Sequence, residues 1–273
     1  MNEFNRDGVH LNIKIFILKI VTNNPKLFKP HASHWFEPIC QYITSKKSGG
    51  GKGFHYFLRD LCTMLISWRY APEKTPQTKL LLTNVVNSLI LISADPVKLI
   101  FKQNIKIIST LMERWSSFIA INKLFVIRML SMKDSDSESL LWKMNAVEVV
   151  ALAVCYNIPV LKSPDDVQYL ETAEQHRFTL ASQGVGNGAS VTIDPLMASI
   201  LRIFESKKKQ ILYAASELVG MILQSQRESE HFGGMLQATK VAILSNEVRE
   251  RHDVFVYSVE RVCRGYQELL TDR

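Results

Sequence analysis

Apolar side chains recur along this chain in steps of three and four, and the longest such run lies near its middle, between Asp95 and Ile119. Val97, Phe101, Ile105, Ile108, Met112, Trp115 and Ile119 make one stripe along a helix, and Lys102, Lys106, Glu113 and Arg114 fall outside it. Asp95 offers a capping carboxylate, and Pro96 takes the first helical position, where its missing N–H costs nothing. One helix cannot bury such a stripe alone. The next apolar segment, Ile121 to Leu130, is close enough to fold back on it as a helical hairpin.

The same step predicts helices on either side. Leu11, Ile15 and Leu18 mark one from about Val9 to Thr22, stopped at Asn23-Asn24-Pro25, and a short connector leads to Pro30. Trp35, Ile39 and Tyr42 mark another from about His31 to Ile43, with Pro38 bending its first half. Helices follow from Phe54 to Trp68, from about Thr78 to Ile92 and from about Leu140 to Tyr156. Ser163-Pro164-Asp165-Asp166 starts a further one by a cap, a first-turn proline and two carboxylates, and it runs to about Thr179. Asp194-Pro195 repeats the Asp95-Pro96 device, and helices are expected from Pro195 to Phe204, Lys207 to Gln226, Gly233 to Asn246 and Val248 to Leu270. Ala214, Ala215 and Gly220 allow close backbone approach. Polar or glycine-rich loops occupy about 45–53, 131–139 and 182–192, and nothing alternates like a strand.

Helix starts near 54, 97 and 140 are about 43 residues apart, inside the range of HEAT and armadillo units, whose paired helices stack on neighbouring pairs. The fold class is therefore all-α, an α-solenoid of HEAT/armadillo-like helical hairpins, with residues 1–273 as a single segment of a larger cradle. An irregular helical bundle is the alternative.

Composition changes this picture little. With 47% hydrophobic and 22% charged residues the chain is ordinary for a globular protein. Cys40, Cys62, Cys155 and Cys263 lie far apart inside apolar helical stretches, where they act as small hydrophobes in a reducing compartment. The net charge of +7 and pI of about 9.2 would suit a polyanion, but no single basic block dominates, which favours a solvated surface. The runs Ile15 to Val21, Leu80 to Ile92 and Ala146 to Cys155 fall short of the ~20 residues of a membrane span. The order of the first residues does not fit a signal peptide. No membrane and no small-molecule partner is expected.

Candidate chemistry is sparse. Ser45 to Gly53 holds glycines and lysines but lacks the order of a phosphate-binding loop. His31 and His34, with Cys40 downstream, lack the second ligand pair a zinc site needs, so capping and packing roles are favoured. No nucleophile elbow, metalloprotease helix, kinase catalytic loop or aspartate-phenylalanine-glycine triplet occurs, so no catalytic residue, metal or cofactor is assigned. Lys207, Lys208 and Lys209, Lys46-Lys47 with Lys52, and Arg249, Arg251, Arg261 and Arg264 could make weak phosphate contacts. No aromatic residue is interleaved among them for base stacking, and a solvated face is favoured for each.

Several blocks, in order, carry a family resemblance: Val21-Thr22-Asn23-Asn24-Pro25, Phe28-Lys29-Pro30-His31-Ala32, His34-Trp35, Leu65-Ile66-Ser67-Trp68, Ile107-Ile108 through Leu111 to Trp115, and Tyr213-Ala214-Ala215-Ser216-Glu217-Leu218-Val219-Gly220. Together they resemble the middle helical region of the DNA-dependent protein kinase branch of the phosphatidylinositol-3-kinase-related kinases. The resemblance departs in the loops around 45–53 and 182–190. It implies a non-catalytic HEAT-type cradle segment of a large nuclear serine/threonine kinase whose catalytic domain lies elsewhere. It also implies a role in double-strand break repair by non-homologous end joining, with the rest of the kinase chain, the Ku heterodimer and DNA ends as partners. That family favours serine or threonine before glutamine, which makes Ser182 and Ser225 candidate phosphoacceptors, Ser182 the better placed of the two beside the glycine loop. A free-standing HEAT-type adaptor, such as an importin-like solenoid, is the alternative.

Overall fold

The computed structural model describes residues 10–44, 52–92, 98–133, 137–161, 194–229, 232–244, 253 and 256–262. The cap at Asp95-Pro96, the helix start at Ser163, the 182–192 loop and most of the 45–53 loop lie outside these residues, as does the greater part of the expected last helix. The chain is all-α, divided into two compact units, one formed chiefly by residues up to Ile121 and the other chiefly by those from Asn122 onward.

The first unit contains α1 (Leu11–Asn23), the short α2 (Pro25–Phe28), α3 (Ala32–Thr44), α4 (Lys52–Trp68), α5 (Pro76–Ile92) and α6 (Lys98–Trp115). The stretch read as a connector is helical: Pro25 opens α2, and a 3-10 turn, Lys29–His31, leads into α3. Asn24 explains why, since its carbonyl accepts from the amides of both Leu27 and Phe28 and its side-chain amide donates to the carbonyl of Ile20. Pro38 lies inside α3 and is buried.

Packing follows an alternating rule. Helix α3 lies against α4 and against α5, α4 lies against α1 and α6, and α5 lies against α6. Alternate helices thus form two layers, one with α3 and α5, the other with α1, α4 and α6. Aromatic residues knit the layers together. Phe36 of α3 meets Trp115 of α6 edge-on at 5.6 Å, and Trp68, buried at the end of α4, donates its indole N–H to the Pro25 carbonyl at 2.9 Å.

The middle helix ends earlier than its sequence pattern predicts. Its stripe is buried from Ile108 through Leu111 and Met112 to Trp115, with α5 and α4 supplying cover within the unit. The helix stops at Trp115, with a 3-10 turn over Ser116–Phe118 and extended backbone at Ile119. Buried Thr83 of α5 causes this exit. Its hydroxyl donates to the Phe118 carbonyl at 3.2 Å and accepts the Ala120 amide at 3.1 Å. Asn87, one turn on, donates to the Ala120 carbonyl at 2.9 Å. Side chains of α5 thus satisfy backbone groups that would be costly to bury unpaired.

The second unit contains α7 (Lys123–Leu130), α8 (Ser137–Cys155), α9 (Pro195–Leu201) with a 3-10 extension at Arg202–Glu205, α10 (Lys209–Ser225), α11 (Phe232–Ile243) and helical residues 256–262. Here α7 packs on α8 and α9, α8 on α10, and α9 on α11. Asp194 caps α9 as the sequence predicts, accepting the Leu196 amide at 2.8 Å through one oxygen and the Lys123 ammonium at 2.6 Å through the other. Gly220 marks the tightest approach in this unit, because a Cβ there would sit 2.9 Å from the Arg261 carbonyl oxygen. Among the described residues the strands are two residues long, Ile121–Asn122 and Val160–Leu161.

Candidate functional site

Contacts between alternate helices repeat at a nearly fixed interval along the chain. In the first unit Gln77 donates to Glu37 across 40 residues, Trp68 to Pro25 across 43, Arg59 to Gln103 across 44 and Arg114 to Ile66 across 48. These intervals match the ~40–47 residues of paired-helix repeats.

In the second unit the interval becomes a ladder. Along α10, Lys209, Tyr213 and Glu217 stand one helical turn apart, facing Asp253, Tyr257 and Arg261, each partner 44 residues further on. Lys209 pairs with Asp253, the Tyr213 and Tyr257 rings meet tilted at 38° with centroids 4.0 Å apart, and Arg261 pairs with Glu217 at 3.5 Å. Arg261 also covers the Tyr257 ring at 5.0 Å, and the Tyr257 hydroxyl donates to Glu217 at 3.2 Å. Pairing in ascending order makes the two helices parallel. Beneath the ladder, buried Ser216 donates to buried Ser258 at 3.0 Å.

This ladder contains some of the residues singled out for phosphate contact. Lys207, Lys208 and Lys209 are exposed at the start of α10, with the Lys208 amide bonded to the Ser206 hydroxyl. Lys209 faces Asp253, and Arg261 faces Glu217, so carboxylates already offset two of the cations. Tyrosines do lie between cations here, Tyr213 and Tyr257 between Lys209 and Arg261, but the rings pack on each other. The sequence signal that finds Asp253 and Tyr257 is a comparison of each residue with the one a repeat length away.

Ser225 is the last residue of α10, exposed, with its hydroxyl donating to the Ile222 carbonyl at 2.8 Å, while Ser182 lies outside the described residues. His31 and His34 are exposed, and no group of three or more metal-ligating side chains is present among the described residues. Burial pushes the Cys40 thiol well up, with the neighbouring Cys62 adding to the effect, and pushes the Cys62 thiol to about 12. Such thiols stay protonated and are poor nucleophiles. Cys155, expected in an apolar interior, is exposed because it ends α8.

Two apolar surfaces are open. On α1, Ile13, Phe16 and Ile20 are 52%, 64% and 41% exposed along one face, while Leu18 and Val21 are buried. Between α9, its 3-10 extension and α11 lies a groove of about 830 Å³, walled by Leu201, Phe204, Ala238 and Val241. No helix among the described residues is long and apolar enough to cross a membrane.

Fold and surfaces together define a class: an all-α chain whose helices pack within two units, and in which the described residues present no catalytic constellation. A family model described as "DNA-dependent protein kinase catalytic subunit, CC3" matches residues 1–72. The chain is similar to the DNA-dependent protein kinase catalytic subunit of Mus musculus, at 23% identity over 96% of this chain and 6% of the relative. The namesake from Dictyostelium discoideum is 29% identical over 80% of this chain and 5% of its own length. That from Xenopus laevis is 23% identical over 94% of this chain and 6% of its own length. The resemblance read from the sequence is borne out along nearly the whole chain, and the chain spans about 6% of the length of the mouse relative.

Proposed function

We propose that this chain is a non-catalytic HEAT-repeat scaffold segment of a protein kinase like the DNA-dependent protein kinase catalytic subunit. Its part is to give the parent protein shape and a helical surface for protein contacts. The alternating packing, with partners 40–48 residues apart, is the observation that carries this reading. A stack of this kind lengthens by adding hairpins and holds its form by contacts between neighbours. The open face of α1, Ile13-Phe16-Ile20, offers an apolar surface of the kind that takes a protein contact.

On this reading the kinase activity belongs to another part of the parent chain. The repair role by end joining, the nuclear location and the partners Ku and DNA ends come through the whole assembly. Ser182 is proposed as a phosphoacceptor of the parent kinase, because it precedes Gln183 beside a glycine-rich stretch. Treating the chain with the active enzyme and finding Ser182 unmodified by mass spectrometry would remove that part. The parent transcript, sequenced through its 3′ end, tests the main reading. Kinase catalytic-loop and metal-binding motifs far downstream are expected. A transcript that stops soon after Arg273 would instead make this a free-standing helical adaptor.

A further inference from the structure

In the first unit, the loop leaving α4 and the end of α6 enclose a concavity of about 350 Å³ lined by Arg69, Tyr70, Pro72, Arg114, Trp115 and Phe118, with Ala71. Two arginines are among its lining residues, and no acidic residue lines it. The Arg69 side chain makes no ion pair among the described residues. Arg114 spends one donor on the Ile66 carbonyl at 2.7 Å, which leaves four of the five that a guanidinium carries.

The backbone points the same way. Arg69 adopts φ 55°, a left-handed conformation that glycine takes without cost and arginine does not, just after the last turn of α4. Its amide bonds to the Ile66 carbonyl at 3.2 Å, so the turn would close equally well on glycine.

The lining residues themselves carry more positive than negative charge. The C-termini of α4 and α6 both end here, each carrying about half a negative charge. Two arginines outweigh them and leave about one net positive charge in a half-enclosed, partly apolar space. Tyr70, Trp115 and Phe118 add ring surfaces and Pro72 a further apolar wall, which suits a ligand that brings side chains along with its anion.

We propose that this concavity binds a phosphorylated serine or threonine within a peptide segment, Arg69 and Arg114 holding the phosphate and the ring-lined wall holding a neighbouring side chain. Forked guanidinium donors match phosphate oxygens, and clusters of arginine are how phosphopeptides are read. A nucleic acid strand needs a continuous run of cations to neutralise successive phosphates. Here Glu113 adjoins Arg114 and Glu73 follows Pro72, so the positive charge is confined to the pocket. The proposal stands on this pocket and does not depend on the scaffold reading.

The test uses the full chain and fluorescence anisotropy. Its probes are a fluorescein-labelled peptide pool with degenerate flanks around a central phosphoserine, the same pool with serine, and a labelled ten-nucleotide thymidine strand. The phosphoserine pool is expected to bind at least about tenfold more tightly than the serine pool. Arg69→Gln, at an exposed position where circular dichroism should show an unchanged fold, removes that preference, and Lys207→Gln in the other unit retains it. Arg114→Lys keeps the charge but loses the fork, and should weaken binding less than Arg69→Gln. Equal binding of the two pools, or a preference that survives Arg69→Gln, overturns the proposal. So does Arg69-dependent binding of the thymidine strand without phosphopeptide binding, which would assign the pocket to nucleic acid.

Discussion

Replacing Thr83 by valine keeps the shape of the side chain and deletes only its hydroxyl, so it isolates the polar clamp that ends α6. Thr83 is fully buried, and its hydroxyl is the partner of both the Phe118 carbonyl and the Ala120 amide. Ala120 is also fully buried, so its amide has no water to turn to. An unsatisfied buried amide costs about 1–3 kcal/mol, and the hydrogen bond to the carbonyl contributes about 1 kcal/mol more. Thr83→Val should therefore destabilise the first unit by about 2–4 kcal/mol. Thr83→Ser keeps the hydroxyl and loses one methyl, at about 1 kcal/mol. Urea unfolding followed by tryptophan fluorescence is the assay, because Trp35, Trp68 and Trp115 lie in the first unit and Trp142 alone in the second. If packing rather than hydrogen bonding governed the site, the order would reverse, and a valine variant as stable as the serine one would refute the clamp.

The close approach at Gly220 gives a second test. Alanine is the better helix former by about 1 kcal/mol, but its Cβ would meet the Arg261 backbone carbonyl, which cannot swing aside as a side chain can. Gly220→Ala is expected to lower the stability of the second unit by about 1–2 kcal/mol net in urea titrations read by circular dichroism, and a stabilised variant would show that the neighbouring helix moves freely. The buried thiols give a third. Burial lifts Cys62 from an ordinary 9.0 to about 12, so the unfolded chain releases that proton first. The stability this thiol contributes is fully present below pH 9 and is lost as the pH rises towards about 12. The urea midpoint should fall between about pH 9 and about pH 11, less steeply in Cys62→Ala, and Ellman's reagent should label Cys155 but neither Cys40 nor Cys62 in the folded chain.

Helix positions were legible where the cause is local. Asp194 and Pro195 define the start of α9 by cap chemistry alone, and Ile108, Met112 and Trp115 declare their buried face by spacing. Pairing was not legible, because an apolar stripe says that it needs cover and not which helix supplies it. Nothing in the pattern of α6 singles out α5 and α4 as its cover. The exit of the chain at Ile119 depends on Thr83, some 35 residues earlier, whose helical pattern gives no sign that its hydroxyl serves another segment's backbone. Pocket chemistry is hidden for a similar reason: Arg69 follows α4 and Arg114 lies in the last turn of α6, 45 residues on, and neither position alone marks a shared site.

The rungs Lys209–Asp253, Tyr213–Tyr257 and Glu217–Arg261 also determine how this part of the molecule answers a sideways force. If α10 slips by one turn so that Lys209 meets Tyr257 and Tyr213 meets Arg261, both rungs become cation–ring contacts and remain attractive. Slipping the other way sets Tyr213 against Asp253 and Glu217 against Tyr257, pairs in which a phenol hydroxyl donates to a carboxylate, as Tyr257 already does to Glu217. A one-turn slip in either direction therefore exchanges one set of attractive rungs for another, so the two helices can be displaced along their length without losing every contact between them.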